Sequence, residues 1–326
     1  MSGAVTLTAA PTARTGGVVA QRDVAPPERL AMVRILVSAY AVVWLAFALP
    51  GIAGLTDAGA ARWHPVGVLA WLDTPLASGW LWLFVALTFG AGIAFLVGAG
   101  ARVTGPLFAA AFLVVTTYRS CWGQIFHTDD LVALHLIVLS LAPAAHAWSV
   151  DARRRHSSPV APVGAEFAPL GATGAHRGTP ARRYGWPLLL MSVITVLAYV
   201  LAGWAKLRTS GLDWITGSVL RDQVAQDNLL KELFGAPSSP LASTVLSHAW
   251  LFPPMAAFAV VVELGAPVAL LGGRWRDVWV GAAWLFHLGI LVLMTTFFPY
   301  QLSGIAYASM FRVERLPGRL VAPFRR

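Results

Sequence analysis

Cysteine is almost missing from this chain: Cys121 stands alone among 326 residues, so neither an intrachain disulfide nor a cysteine-built metal site can form. Charge is scarce as well. Only 12% of residues are Asp, Glu, Lys or Arg, against roughly a quarter in an ordinary soluble domain. The sequence has no glycine-rich phosphate loop, nucleophile elbow or paired zinc-ligand motif, which removes the support for kinase, hydrolase and zinc-enzyme readings. It also lacks the alternation of apolar and polar residues that an outer-membrane barrel requires. Residues 1–29, rich in Ala, Thr, Gly and Pro, contain no signal-peptide apolar run and read as a disordered cytoplasmic tail.

What the chain has in abundance is apolar length. Hydrophobic residues make up 57% of it and the mean hydropathy is +0.66, more apolar surface than a soluble core absorbs. A bilayer core about 30 Å thick takes about 20 apolar residues per helix, and such stretches recur at 31–55, 79–101, 104–119, 130–150, 186–208, 249–272 and 277–298, with a shorter piece at 302–313. The fold class is therefore all-α: a polytopic membrane helical bundle of about seven to eight transmembrane helices. The short stretch from Val66 to Leu72 reads as a re-entrant or interfacial turn with Trp63 and Trp71 as headgroup anchors.

The net charge of +9 reflects orientation rather than nucleic acid, because the basic residues cluster at the ends of apolar stretches. With the N-terminus inside and eight crossings, 18 of the 24 basic residues fall on the inner side. The positive-inside rule then places both termini in the cytoplasm and the protein in the cytoplasmic cell membrane. Within the membrane domain of 30–313, residues 151–185 read as a cytoplasmic linker, 209–248 as an amphipathic segment on the outer face, and 314–326 as a basic cytoplasmic tail.

Lys206 is the foremost candidate for chemistry. It sits near the outer end of an apolar helix in a chain with two lysines among its 24 basic residues, and a desolvated lysine, unlike arginine, can release its proton and act as a base. The plainer reading is a lysine that snorkels to the headgroups. Glu263, His287 and His135 lie in apolar stretches, where an ionisable residue faces protein or a polar cavity. Arg119, His127 and Asp129 surround the outer loop before the fourth span; at a helix start, Asp129 also suits plain capping. If those outer ends converge, Arg119, His127 and Asp129 join Lys206 in one cavity, where Trp204, Tyr118 and Trp122 would offer ring contacts. His and Asp occur there without a recognised ligand spacing, so no metal is expected.

The phrase Ala202-Gly203-Trp204-Ala205-Lys206-Leu207, followed by Asp213-Trp214 and Gly217, resembles a signature of the vitamin K-dependent gamma-carboxylase family and its bacterial HTTM relatives. A second phrase, His146-Ala147-Trp148-Ser149-Val150-Asp151, is similar to the end of a helix in the same family. The resemblance spans roughly residues 30 to 313. It implies a membrane enzyme acting on a lipophilic hydroquinone, such as menaquinol or vitamin K hydroquinone, with Lys206 as the base and a peptide or protein as a further partner. The family's Asn-Asn-His loop is replaced by Phe126-His127-Thr128-Asp129-Asp130, and little chain follows the last span. The expectation is accordingly a quinol-dependent step rather than protein carboxylation. The alternatives are a non-catalytic membrane protein for peptide maturation, export or binding, or a small-solute transporter, the latter favoured by Glu263 and His287 at membrane depth.

Overall fold

A computed structural model describes residues 24–157 and 178–316. The expected disordered tail therefore lies mostly outside the described residues, as do 158–177 of the linker and the basic tail beyond Leu316. The chain folds as an all-α membrane bundle. Five helices are long and apolar enough to cross a bilayer: α1 (Pro27–Leu55), α2 (Ser78–Val97), α3 (Ala101–Ser120), α6 (Arg182–Ser210) and α10 (Gly273–Met294). Shorter pieces complete it: α4 (His127–Leu141), α5 (Val150–Ser157), α7 (Ser218–Leu233), α8 (Ala242–Leu246), α9 (Phe252–Leu264) and α11 (Pro299–Leu302). Phe47, Trp80, Val103, Leu141, Leu201 and Val261 are each more than half exposed. That outer surface is tolerable only against lipid tails, which are as apolar as the side chains themselves. The end of the bundle where α1 begins is called proximal here, and the opposite end distal.

Three apolar stretches do not become continuous helices. Pro143 disfavours helical backbone in the residue before it. Ala142 is extended, so α4 ends at Leu141 rather than near residue 150. In the stretch 249–272, α9 stops at Leu264, and Pro267, which lacks an N–H, forces the 3-10 turn Ala266–Leu271. The stretch 302–313 is not an α-helix either. After α11 the left-handed Gly304 leads into a 3-10 segment, Ile305–Met310, that runs back along α10 until Glu314 meets Arg29 at the proximal end. Irregular backbone survives at membrane depth only inside protein, and Tyr300, Ala306 and Tyr307 are fully buried.

The start of the predicted linker is ordered. Ser149 Oγ accepts from Ala152 N at 2.9 Å and so caps α5. Asp151 reaches across to the α2–α3 turn, where its two carboxylate oxygens accept from Gly100 N and Ala101 N, each at 2.9 Å. Arg34, fully buried, donates from Nη2 to Trp148 O at 2.7 Å. Gly98, left-handed at φ +69°, lies so close to Arg34 and Ser149 that a Cβ would collide with both. This proximal clasp ties α1, the α2–α3 turn and α5 together. At the distal end, Trp63 is a core residue rather than a headgroup anchor: its Nε1 donates to Leu72 O, and its ring packs on Tyr118 and Trp122. Trp71 is exposed. α7 lies over the end of α10, its Asn228 and Lys231 donating to Leu293 O and Met294 O, while Leu229, Leu233 and Phe234 face outward.

Burial pushes the Asp151 carboxyl up, but the two backbone donors together with Arg155 and Arg154 outweigh it and hold it below the usual carboxylate range. A carboxyl depressed in the folded state stabilises above its unfolded value, about pH 4, and loses that contribution as pH falls through its folded value. Asp151→Ala is expected to cost about 1 kcal/mol at pH 7, with the gap to wild type narrowing as pH falls below about 4. Melting curves of both proteins in the same micelle across that range check this, and a gap that does not depend on pH would rule out the cap.

Candidate functional site

Within the bundle, α6 carries Ser192, Thr195, Tyr199 and Lys206 at intervals of three, four and seven residues. That spacing sets them on one face of the helix. Gly203 lies on the same face, where a Cβ would sit 2.9 Å from Glu263 Cβ and 3.0 Å from Leu264. The missing side chain lets α9 approach closely. One turn on, Lys206 Nζ meets Glu263 Oε1 at 2.5 Å. The Glu263 side chain is 3% exposed and that of Lys206 23%, so the carboxylate is enclosed while the ammonium stays at the edge. Trp214 closes the site, its ring centroid 5.3 Å from Nζ. Gly217, left-handed at φ +82°, packs on the backbone at Phe252 and Pro253 and so seats the start of α9. Glu263 Oε2 has no hydrogen-bond partner among the described residues.

The remaining stripe leads into the broken C-terminal segment. Tyr199 Oη lies 2.5 Å from Tyr307 Oη and 2.7 Å from His287 Nε2. The Trp279 ring stands edge-on to both tyrosines, and at the break after α9 its Nε1 donates to Val262 O at 2.9 Å. One α6 turn below, Thr195 Oγ1 contacts His135 Nε2 and donates to Ala306 O, each at 3.2 Å. His135 Nδ1 meets Tyr300 Oη at 2.7 Å. Ser192 and Ser309 pair at 3.0 Å. Every one of these groups can donate or accept a hydrogen bond, and the stripe forms a polar axis through an otherwise apolar bundle.

The residues expected to share one outer cavity divide into two clusters. Arg119 Nη1 donates to Asp129 Oδ2 at 2.6 Å, and the guanidinium stacks over Phe126 and Trp44. Tyr118 and Trp122 belong to the aromatic core around Trp63. Among the described residues, no hydrogen bond or ion pair joins Arg119 or Asp129 to Lys206. His127 opens α4, and its side chain lies outside what is described. Trp204 is 59% exposed and points toward lipid, two residues from Lys206 and off its face. No group of three or more His, Cys, Asp or Glu side chains suited to a metal occurs among the described residues. Tyr307, Tyr300, Thr195 and Ser192 escaped the sequence reading. The spacing along α6 was the available signal, obscured because tyrosine and threonine pass as apolar filler in a membrane span.

The ion pair makes its own test. Lys206→Met leaves a 3%-exposed carboxylate without its cation and is expected to cost about 3–5 kcal/mol. Glu263→Gln should cost less, since the ammonium is already at the edge. The double variant should recover most of the loss. Chemical unfolding of the four proteins in one detergent gives the coupling energy, and strictly additive effects would show that the contact contributes nothing.

Comparison with protein-family models, with curated proteins and with solved structures finds no match to this chain.

Proposed function

We propose that this chain is an HTTM-type membrane enzyme, similar to the membrane domain of the vitamin K-dependent gamma-carboxylases, in which the Lys206–Glu263 pair deprotonates a lipophilic hydroquinone such as menaquinol. The observation that carries the reading is the pair itself: a lysine near the distal end of a lipid-facing helix, in contact with an enclosed carboxylate. Moving one proton across the 2.5 Å contact converts the ion pair into a neutral amine and a neutral acid. Holding two charges away from water is costly, which narrows the gap between the two states. In the neutral state Lys206 Nζ takes the hydroxyl proton of the hydroquinone, which leaves a phenolate facing the new ammonium.

Lateral entry from the bilayer suits a lipophilic substrate. Leu201, Trp204 and Val261 present an apolar, lipid-facing surface beside the pair, and Trp204 offers a ring at that entrance rather than inside a pocket. The distribution of charge supports the cytoplasmic membrane with the proximal end in the cytoplasm: Arg29, Arg102, Arg182, Arg183, Arg274 and Arg276 all lie at that end.

A second reading, transport of a small solute coupled to protons, is favoured by the breaks at 264–266 and 302–305, which place irregular backbone and polar side chains at membrane depth.

The deciding measurement is the quinone content of the purified protein, followed by oxygen uptake on adding reduced menaquinone. Wild type should retain quinone and consume oxygen. Lys206→Arg, which keeps the charge but cannot give up a proton, should lose turnover by about 100-fold or more, the range of a lost general base. Absence of both quinone and uptake in wild type would remove the enzyme reading. Proton-coupled solute uptake by reconstituted vesicles would then establish the transport reading.

A further inference from the structure

The proximal end holds two cavities that share Gly273, Arg276 and Arg312. The first, about 340 Å³, runs between α6 and the 3-10 turn 266–271, with Leu188, Ala269 and Leu271 on its walls and the Ser192–Ser309 pair within it. The second, about 680 Å³, lies on the other side of the 308–312 segment and is lined by Leu36, Ile305, Phe311 and Val313. Four arginines line them: Arg29, Arg276, Arg312 and Arg315. Two of these are already engaged. Arg29 is held in a two-point bond to Glu314 at 3.0 Å, and Arg276 is spent on Asp277 and Met310 O while its guanidinium lies 4.3 Å over Phe311. Arg312, exposed and lining both cavities, makes no hydrogen bond or ion pair with any described residue. Four guanidinium groups thus face two carboxylates, and of the two arginines common to both chambers Arg312 keeps its donors free of the described residues.

We infer that this cleft binds the phosphate of an anionic amphiphile, with the phosphate on Arg312 and the hydrocarbon chain in the second chamber, against Leu36, Ile305 and Phe311. Arginine presents a planar fork of donors that matches phosphate oxygens. A bare phosphate would satisfy that fork but leave the leucine, isoleucine and phenylalanine walls in contact with water, whereas a hydrocarbon chain covers them. Leu316, 41% exposed and lining the second chamber, gives such a chain a path from the bilayer. The site lies at the opposite end of α6 from Lys206 and does not depend on the hydroquinone reading.

The test uses the full chain in phosphatidylcholine nanodiscs, titrated with phosphatidylglycerol and read by native mass spectrometry. Wild type is expected to retain phosphatidylglycerol at least tenfold more tightly than added phosphatidylcholine. Arg312→Gln should abolish that preference, Arg312→Lys should keep part of it, and Arg208→Gln, an exposed distal arginine, should leave it unchanged. Unaltered melting temperatures would show that the variants fold. Displacement of the lipid by millimolar inorganic phosphate would overturn the amphiphile in favour of a soluble phosphate source, and persistence of the lipid would support the membrane source. Equal retention of the two lipids, or equal losses in Arg208→Gln and Arg312→Gln, would overturn the inference.

Discussion

A helix that crosses a bilayer with Ser192, Thr195, Tyr199 and Lys206 on one face has to bury that face against protein, because hydrocarbon offers no partner and a hydroxyl without one costs several kcal/mol there. The architecture of the second half of this protein follows from that constraint. α9 supplies Glu263, α10 supplies His287 and, against the Tyr199 ring, Trp279, and the returning segment 299–313 supplies Tyr307 and Ser309. Apolar packing alone would not choose these neighbours, since lipid tails solvate leucine as well as another helix does. The polar stripe is what fixes which elements lie against α6.

The irregular segments follow from the same requirement. A continuous helix satisfies its own carbonyls and has little left to offer a neighbour. A broken one frees them, and here they are used: Ala306 O accepts from Thr195, Val262 O from Trp279, and Met310 O from Arg276. The breaks at Pro267 and Gly304 therefore add acceptors at the depth where the stripe needs them. They also bring Tyr199 and Tyr307 close enough for their hydroxyls to hydrogen-bond at 2.5 Å.

Much of the fold was legible from apolar length, and the exceptions have local causes. The five long helices fall within four residues of the expected spans at each end, because about 20 apolar residues is a physical length as well as a pattern. Hydropathy sees that length but not the backbone, so the stretches crossing Pro143 and Pro267 and following Pro299 looked like spans while folding as broken pieces. At the candidate site, Lys206, Glu263, His287 and His135 stood out as costly residues in apolar surroundings. Their partners did not, since the separation of 57 residues between Lys206 and Glu263, or 165 between His135 and Tyr300, leaves no trace in local periodicity.

The two phrases that carry the family resemblance differ in what their residues do. In the first-half phrase, Trp148 presents its carbonyl to Arg34, Ser149 caps α5, and Asp151 caps the α2–α3 turn. Every identified contact there is made to backbone or to a neighbouring element at one end of the bundle, so the fold alone accounts for it. In the second-half phrase, Gly203 and Gly217 are likewise matters of close approach. Lys206 is different. A snorkelling anchor would turn its ammonium to the headgroups, yet here the amine is directed onto a carboxylate that itself has little access to water. Desolvating such a pair is costly, and an apolar pair of similar volume would often serve stability as well or better. A charge arrangement that packing does not require, next to hydroxyl and imidazole groups able to pass a proton, is the part of this structure that stability alone leaves unexplained.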